Sequence, residues 1–304
     1  MRILIHGQQA FGKAVLERLM EGPDEVVGVL CPPDREGSPP GPLKEAGLEQ
    51  GLPVHQPETF KTDEALELVR SFRSDLCVMA YVTLLVPRRV LDAPRLGTIQ
   101  YHPSLLPLHR GPSSINWARI QGDEKTGLTI FWPDEGLDEG PILLQKEVEI
   151  GQDDTVGSLY FQKLFPMGVD AIAEAVEMVR AGTAPRIEQD HGRATYESWC
   201  LEADAEVDWS RPAEEVHRLI CGTDPQPGAW TTVGGNKLKL YGSRLGTGSG
   251  APGEVLGLSD AGMAVAAGDA SVVVQRVRAH DSRTKVAAAE YAAGAGIRPG
   301  QRLG

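Results

Sequence analysis

The sequence has 304 residues, with 30 Lys and Arg against 42 Asp and Glu and a formal net charge of −12. That acidity sets aside proteins that live on nucleic acid or on an anionic membrane surface, because both need clustered cations. At 41% apolar and 24% charged residues, the composition is that of a globular chain with a sizeable core and room for one large or two smaller domains.

From the amino terminus, short apolar runs alternate with helix-like patterns. Arg2 to Ile5 reads as a strand, a turn from Gly7 to Gly12 follows, and Val15, Leu16, Leu19 and Met20 recur at helical spacing. Glu25 to Leu30 is β-branched and apolar, a buried strand, and Pro32 to Leu43 is a loop rich in Pro and Gly. Glu64 to Phe72 predicts a helix, Leu76 to Val82 a buried strand, Leu84 to Leu91 a short helix and Thr98 to Tyr101 another strand. This β-α-β alternation predicts the α/β class, a Rossmann-like, mostly parallel sheet covered by helices. Ligands of such sheets sit beyond the carboxyl ends of the strands.

Leu128 to Trp132 and Ile142 to Glu149 predict two further strands around the acidic loop Asp134 to Gly140. A long helix is expected from about Asp154 to Ala181, capped by Asp153 or Asp154 and ended by Gly182 and Pro185. From about Arg193 the texture changes. Lys237 to Tyr241, Gly253 to Leu256, Met263 to Ala267 and Ser271 to Val277 are short alternating runs broken by Gly-rich turns, which predict a small OB-like β-barrel. The expected division is an α/β catalytic domain over residues 1–200 and a C-terminal β-barrel domain over 201–304.

The longest nearly apolar stretch, Leu76 to Val86, falls well short of the roughly 20 residues of a membrane-spanning helix. The opening apolar run breaks at Gly7, too early for a secretion signal. Cys31, Cys77, Cys200 and Cys221 lie far apart and read as buried thiols in a reducing compartment, so a cytoplasmic protein without membrane partners is expected.

Three motifs fail on their chemistry. Gly7 to Ala14 nearly fits a phosphate-binding loop, but Ala14 stands where a Ser or Thr hydroxyl would bind Mg²⁺. The loop Asp134 to Gly140 misses the calcium-loop spacing. His102 and His109 are seven apart with no Cys or third His nearby, so no metal is expected. The fourth candidate is stronger. His102 follows a strand on the loop Tyr101-His102-Pro103-Ser104-Leu105-Leu106-Pro107, which two prolines stiffen. Asp138 lies 36 residues on, in a Gly-flanked turn. A carboxylate within reach of an imidazole favours its charged form and suits acid–base attack on an acyl carbon. By spacing alone, a capping His and a turn Asp account for the pattern better than catalysis does.

The run Tyr101 to Pro107, then Gly122-Asp123, then Asp134-x-Gly136-x-Asp138-x-Gly140 resembles the formyltransferase family, whose members use formyl-tetrahydrofolate. Within it the likeness is stronger to the amino-terminal hydrolase domain of 10-formyltetrahydrofolate dehydrogenase than to methionyl-tRNA formyltransferase. It extends through His6-Gly7-Gln8, Phe11-Gly12, Ser114 to Trp117, Ile130 to Trp132, Leu143 to Glu147, Asp153 to Val156, Leu164 to Pro166 and Pro227 to Trp230. The resemblance implies that His102 and Asp138 carry catalysis. It also implies that Leu84, Leu85 and Val86 with Ser104, Leu105, Leu106 and Pro107 line a folate site. The expected reaction removes formyl from 10-formyltetrahydrofolate, giving tetrahydrofolate and formate without a metal. The alternatives are transfer to a small amine and a non-catalytic folate-binding module.

Two departures bear on the acceptor. Family transferases carry Asn two residues before the His, whereas the hydrolase domain has an apolar residue there; this chain has Gln100, whose amide sits on one extra methylene. The stretch Pro32 to Lys44, where tRNA-modifying members have a basic insertion, holds two basic and two acidic residues. A tRNA acceptor is therefore not expected. Nicotinamide oxidation is not expected either, because the 304 residues leave no room for the carrier and aldehyde-dehydrogenase regions.

Overall fold

The computed structural model describes residues 1–304. Residues 1–112, 127–148 and 163–196 form one compact unit. Its strands are β1 (Arg2–Gly7), β2 (Glu25–Leu30), β3 (Val54–His55), β4 (Leu76–Ala80), β5 (Thr98–His102), β6 (Lys125–Phe131) and β7 (Ile142–Glu149). They make one sheet in the order β3-β2-β1-β4-β5-β6-β7. The first five are mutually parallel, and β6 runs antiparallel to β5, so the expected α/β sheet is present with an antiparallel edge.

Alternation along each strand divides the core into two layers. Ile3, Ile5, Val78, Ile99 and Tyr101 pack on one face with Phe11, Val15 and Leu16 of α1 (Gln9–Met20), Leu43 and Ala46 of α2 (Pro42–Glu49), and Ile172 and Val176 of the helix Phe165–Ala181. Leu4, Cys77 and Met79 point to the other face, against Leu66 and Val69 of α3 (Asp63–Ser71) and Val90 and Leu91 of α4 (Arg88–Leu91). Of the Leu84 to Leu91 segment only the last four residues are helical, because Pro87 holds an extended backbone and acts as the cap.

The long helix expected from Asp154 starts differently. Thr155 is its cap, in a reciprocal box with Ser158. The turn then widens to a π-helix over Leu159–Leu164 before regular α-helix resumes at Phe165. Pro166 supplies the reason, since it has no N–H to give the preceding turn and its ring crowds the carbonyl four residues back.

Residues 113–126, 149–162 and 197–304 form the second unit. Its strands are β8 (Ala229–Val233), β9 (Asn236–Gly246), β10 (Val255–Ser259), β11 (Gly262–Ala266), β12 (Ser271–Ala279) and β13 (Val286–Ala287). They form a six-stranded antiparallel sheet in the order β10-β11-β12-β9-β8, with β13 beside β12. Leu238, Leu240, Val272 and Val274 pack there against Val216 and Ile220 of the helix Ala213–Gly222. Polar bonds tie the two earlier segments to each other, and tie the helix to them and to β9. Arg119 donates to the carbonyls of Gln152 (2.7 Å) and Asp154 (2.8 Å), His217 bonds Ser243 Oγ at 2.8 Å, and Asn116 donates to the Gly222 carbonyl at 2.8 Å.

All four cysteines are buried and free. Burial pushes Cys77 up to about 12 and Cys31 and Cys200 to about 11, so none offers a thiolate at neutral pH. No helix is long and apolar enough to cross a membrane.

His6, near the end of β1, is buried with its ring on Phe60 at 4.6 Å, and burial lowers its imidazole from 6.5 to about 3. Between those values the unfolded chain takes up a proton that the folded chain refuses. Stability is therefore complete above pH 6.5 and falls on acidification, by up to about 1.4 kcal/mol per pH unit. His6→Leu should flatten this acid limb: urea titrations at pH 6.5, 5.5 and 4.5 should show the variant gaining on the parent at each step down.

Candidate active site

β5 delivers its last residue, His102, to the carboxyl edge of the sheet. Gln100 is two residues earlier and so lies on the same face, the one shared with its register partner Met79. His102 is buried at 5% exposure, and its two ring nitrogens have different neighbours. Nε2 lies 2.8 Å from the carbonyl oxygen of His109. A carbonyl only accepts, so Nε2 carries the hydrogen and donates it. Nδ1 faces Oδ2 of Asp138 at 3.6 Å, too long for a hydrogen bond but within ion-pair distance. The His and Asp singled out in the sequence are thus brought together.

Asp138 is held from several sides. Its Oδ2 accepts from the Gly111 N–H at 2.9 Å, and its backbone has φ 56°, the left-handed region that a non-glycine residue enters at a cost of about 1 kcal/mol or more. His109 (φ 54°) and Tyr81 (φ 65°) share that strain. Gln9 (φ 57°), after β1, shares that conformation too, whereas Arg73 (φ 47°) precedes β4 at the other edge of the sheet.

The restraint comes from residues that the motif reading missed. Gln189 Nε2 donates to the backbone oxygens of Asp138 (2.9 Å) and Gly140 (2.7 Å). Its Oε1 accepts from Nη2 (2.7 Å) and Nε (3.2 Å) of Arg110, a guanidinium buried to 1% exposure. Tyr196 completes the cage: Arg110 donates to its hydroxyl, which in turn donates to Glu139 Oε1 at 2.8 Å. The His109 N–H donates to Thr195 Oγ1 at 2.8 Å, and Arg110 N–H to the Thr195 carbonyl at 3.0 Å. The strap from Gln189 to Tyr196 thereby clamps both ends of the His102–Asp138 pair.

The residues assigned to folate separate into groups. Leu105, Leu106 and Pro107 line an open pocket of about 310 Å³ together with Leu108, Gln145, Glu147 and Arg193. Ser104 is buried and works inside the loop: its hydroxyl donates to the Leu108 carbonyl at 2.6 Å, and its carbonyl accepts from Thr129 Oγ1 at 2.7 Å. Leu85 is 66% exposed and Leu84 37%. Val86 turns inward to a void of about 10 Å³ beside His6, Phe60 and Met79, so it does not share the open pocket. Gln100 is half-buried and its amide makes no hydrogen bond within the chain, which leaves it available to an incoming group.

Replacing Gln189 by Leu keeps the bulk but removes every hydrogen bond of this relay. Two buried carbonyls and two N–H groups of Arg110 would be left unpaired, at about 1–3 kcal/mol each. Gln189→Leu should therefore lower the unfolding free energy by about 3 kcal/mol or more in urea titrations. Unchanged stability would show that the relay does not hold the loop.

Comparison with known proteins agrees with this geometry. The formyl transferase family matches residues 1–176 and the formyl transferase C-terminal domain matches residues 201–296. The human mitochondrial 10-formyltetrahydrofolate dehydrogenase is 41% identical over 266 residues, covering 86% of this chain but only 29% of that protein. The chain thus spans under a third of the dehydrogenases it matches. The methionyl-tRNA formyltransferase of Geotalea daltonii is 35% identical over 309 aligned positions, covering 100% of this chain and 98% of that protein. Among solved structures, the sugar 3N-formyl transferase WlaRD shares the fold with a TM-score of 0.71 at 15% identity, over 93% of this chain and 98% of its own. Two matched domains, relatives above 30% identity and a His–Asp pair at the carboxyl edge of the sheet lead to one conclusion: the chain belongs to the formyl transferase family of enzymes.

Proposed function

We propose that this chain hydrolyses 10-formyltetrahydrofolate to tetrahydrofolate and formate, in the cytoplasm and with no metal. The observation that carries the reading is the pairing of His102 Nδ1 with Asp138 at 3.6 Å on a fully restrained loop. It is supported by the 41% identity to a 10-formyltetrahydrofolate dehydrogenase. The substrate's formyl group is an amide-like acyl centre. Water adds to its carbon and gives up a proton to His102 Nδ1, while the Asp138 charge stabilises the resulting imidazolium. The oxyanion of the tetrahedral intermediate receives a hydrogen bond from the Gln100 amide. His102 then returns the proton to the departing nitrogen, the C–N bond breaks, and formate leaves with the oxygen from water.

A second reading, transfer to a small amine, has its own support. Gln100 offers the kind of amide that family transferases place before the His, and the fold is shared with a sugar N-formyl transferase. In that case an amine replaces water as nucleophile and the proton transfers are unchanged. The neutral stretch Pro32 to Lys44 favours a small acceptor over tRNA.

The test is incubation of the purified protein with 10-formyltetrahydrofolate alone, following tetrahydrofolate and formate. Release of both is expected, with His102→Ala and Asp138→Asn slower by about 100- to 10,000-fold. Folate binding without turnover would replace hydrolysis by amine transfer, and equal binding with no effect of His102→Ala under any acceptor would mean a non-catalytic module. Gln100→Asn should shift the partition toward amines and Gln100→Ile toward water. An unmoved partition would remove Gln100 from the mechanism.

A further inference from the structure

We propose that His191 is a pH-releasable clasp on the strap from Gln189 to Tyr196: the neutral ring secures the buried guanidinium of Arg110, and the protonated ring releases it. The clasp would act whichever acceptor takes the formyl group. Nη2 of Arg110 has two hydrogens to place. Gln189 Oε1 takes one at 2.7 Å, and Nδ1 of His191 lies within reach of the other at 3.3 Å. A guanidinium only donates, so Nδ1 presents its lone pair and the ring hydrogen sits on Nε2. Protonation at Nδ1 turns this acceptor into a donor and sets a second positive charge beside the first.

The two partners differ in their access to water. The Arg110 side chain is fully buried, whereas His191 is exposed. The ring can take a proton from solvent, but the guanidinium cannot turn to water for the bond it loses. Imidazole is the side chain that ordinarily changes charge between about pH 5 and 8. The carboxylates nearby are engaged elsewhere. On the β6–β7 loop, Glu139 lies 3.9 Å from Nη1, the other end of the guanidinium, and accepts from the Tyr196 hydroxyl at 2.8 Å. Asp138, on the same loop, accepts from the Gly111 N–H and faces His102. On the strap itself Asp190 Oδ1 accepts from the Gly192 N–H at 3.1 Å, and Arg193 adds a further cation.

His191 stands between the two anchors of the strap. It opens the short turn His191–Arg193. Beyond that turn the Thr195 N–H donates to the Pro107 carbonyl at 3.2 Å, and the Thr195 carbonyl accepts from the Arg110 N–H at 3.0 Å. Before it, Gln189 holds the backbone oxygen of Asp138 at 2.9 Å. A charged His191 pushes the strap away from Arg110 in the span between these bonds. Acid therefore slackens the loop after His102 and the turn that carries Asp138 together, while the sheet beneath them stays formed.

Amide hydrogen exchange of the unliganded protein tests this, expressed as protection factors so that the intrinsic pH dependence of exchange is removed. The β4 amides serve as the reference, because they report global opening and so absorb the effect of His6. Between pH 7.5 and 5.5 the Arg110 and Thr195 amides of the parent should lose about tenfold in protection relative to that reference. His191→Asn, whose Oδ1 takes the place of Nδ1 and does not titrate, should keep the ratio at both pH values. His191→Lys, charged throughout, should show the lower ratio already at pH 7.5. A parent whose ratio ignores pH would overturn the clasp. So would a His191→Asn variant that loses as much as the parent, or a His191→Lys variant as protected as the parent at pH 7.5.

Discussion

A positive charge with almost no access to water must be answered by fixed partners, and the buried guanidinium of Arg110 sets that condition for the whole active-site loop. Its answer is the Gln189 carbonyl, backed by Tyr196, and the same Gln189 amide holds the backbone oxygens of Asp138 and Gly140. One polar side chain therefore serves two ends: it satisfies the N–H donors of Arg110, whose charge Glu139 answers at 3.9 Å, and it fixes the turn that carries Asp138. The left-handed backbone at both His109 and Asp138 is tolerable because neither residue can relax without breaking this set of bonds.

The sheet supplies the rest of the geometry around His102 with little adjustment. β5 ends at His102, and the pleat brings Gln100 to the same side. Across the next strand Thr129 is saturated: its hydroxyl donates to Ser104 and accepts from Leu106 N at 3.1 Å and Gln145 at 2.9 Å. A threonine in the middle of an apolar strand thus shapes the loop from Ser104 to Leu106.

Much of this was legible in the sequence for identifiable reasons. The strands β1, β2, β4 and β7 are apolar or alternating runs bounded by turns, so periodicity located them. His102 was legible because strand, proline and loop fall in that order. Other features depend on contacts distant in sequence. The helix Pro42–Glu49 hides behind a Pro- and Gly-rich approach, and only its packing of Leu43 and Ala46 on the core shows its purpose. The Thr155 cap was obscured by two neighbouring aspartates with equal claims, and the π-turn before Pro166 has no periodic signature. The Gln189 to Tyr196 strap could not be read at all, because Gln189 gains its meaning from Arg110, which lies 79 residues away. Val86 shows the converse: a motif placed it beside a ligand, while its apolar side chain found the core.

The interleaved path of the chain has a consequence for how the protein is made. Residues 113–126 and 149–162 belong to the second unit, yet their anchors, the Gly222 carbonyl for Asn116 and Ser243 for the buried His217 network, are translated much later. These two segments must therefore wait until residues 213–243 are made before their partners exist. The second unit therefore cannot fold from residues 197 onward alone, because two of its segments are made before them.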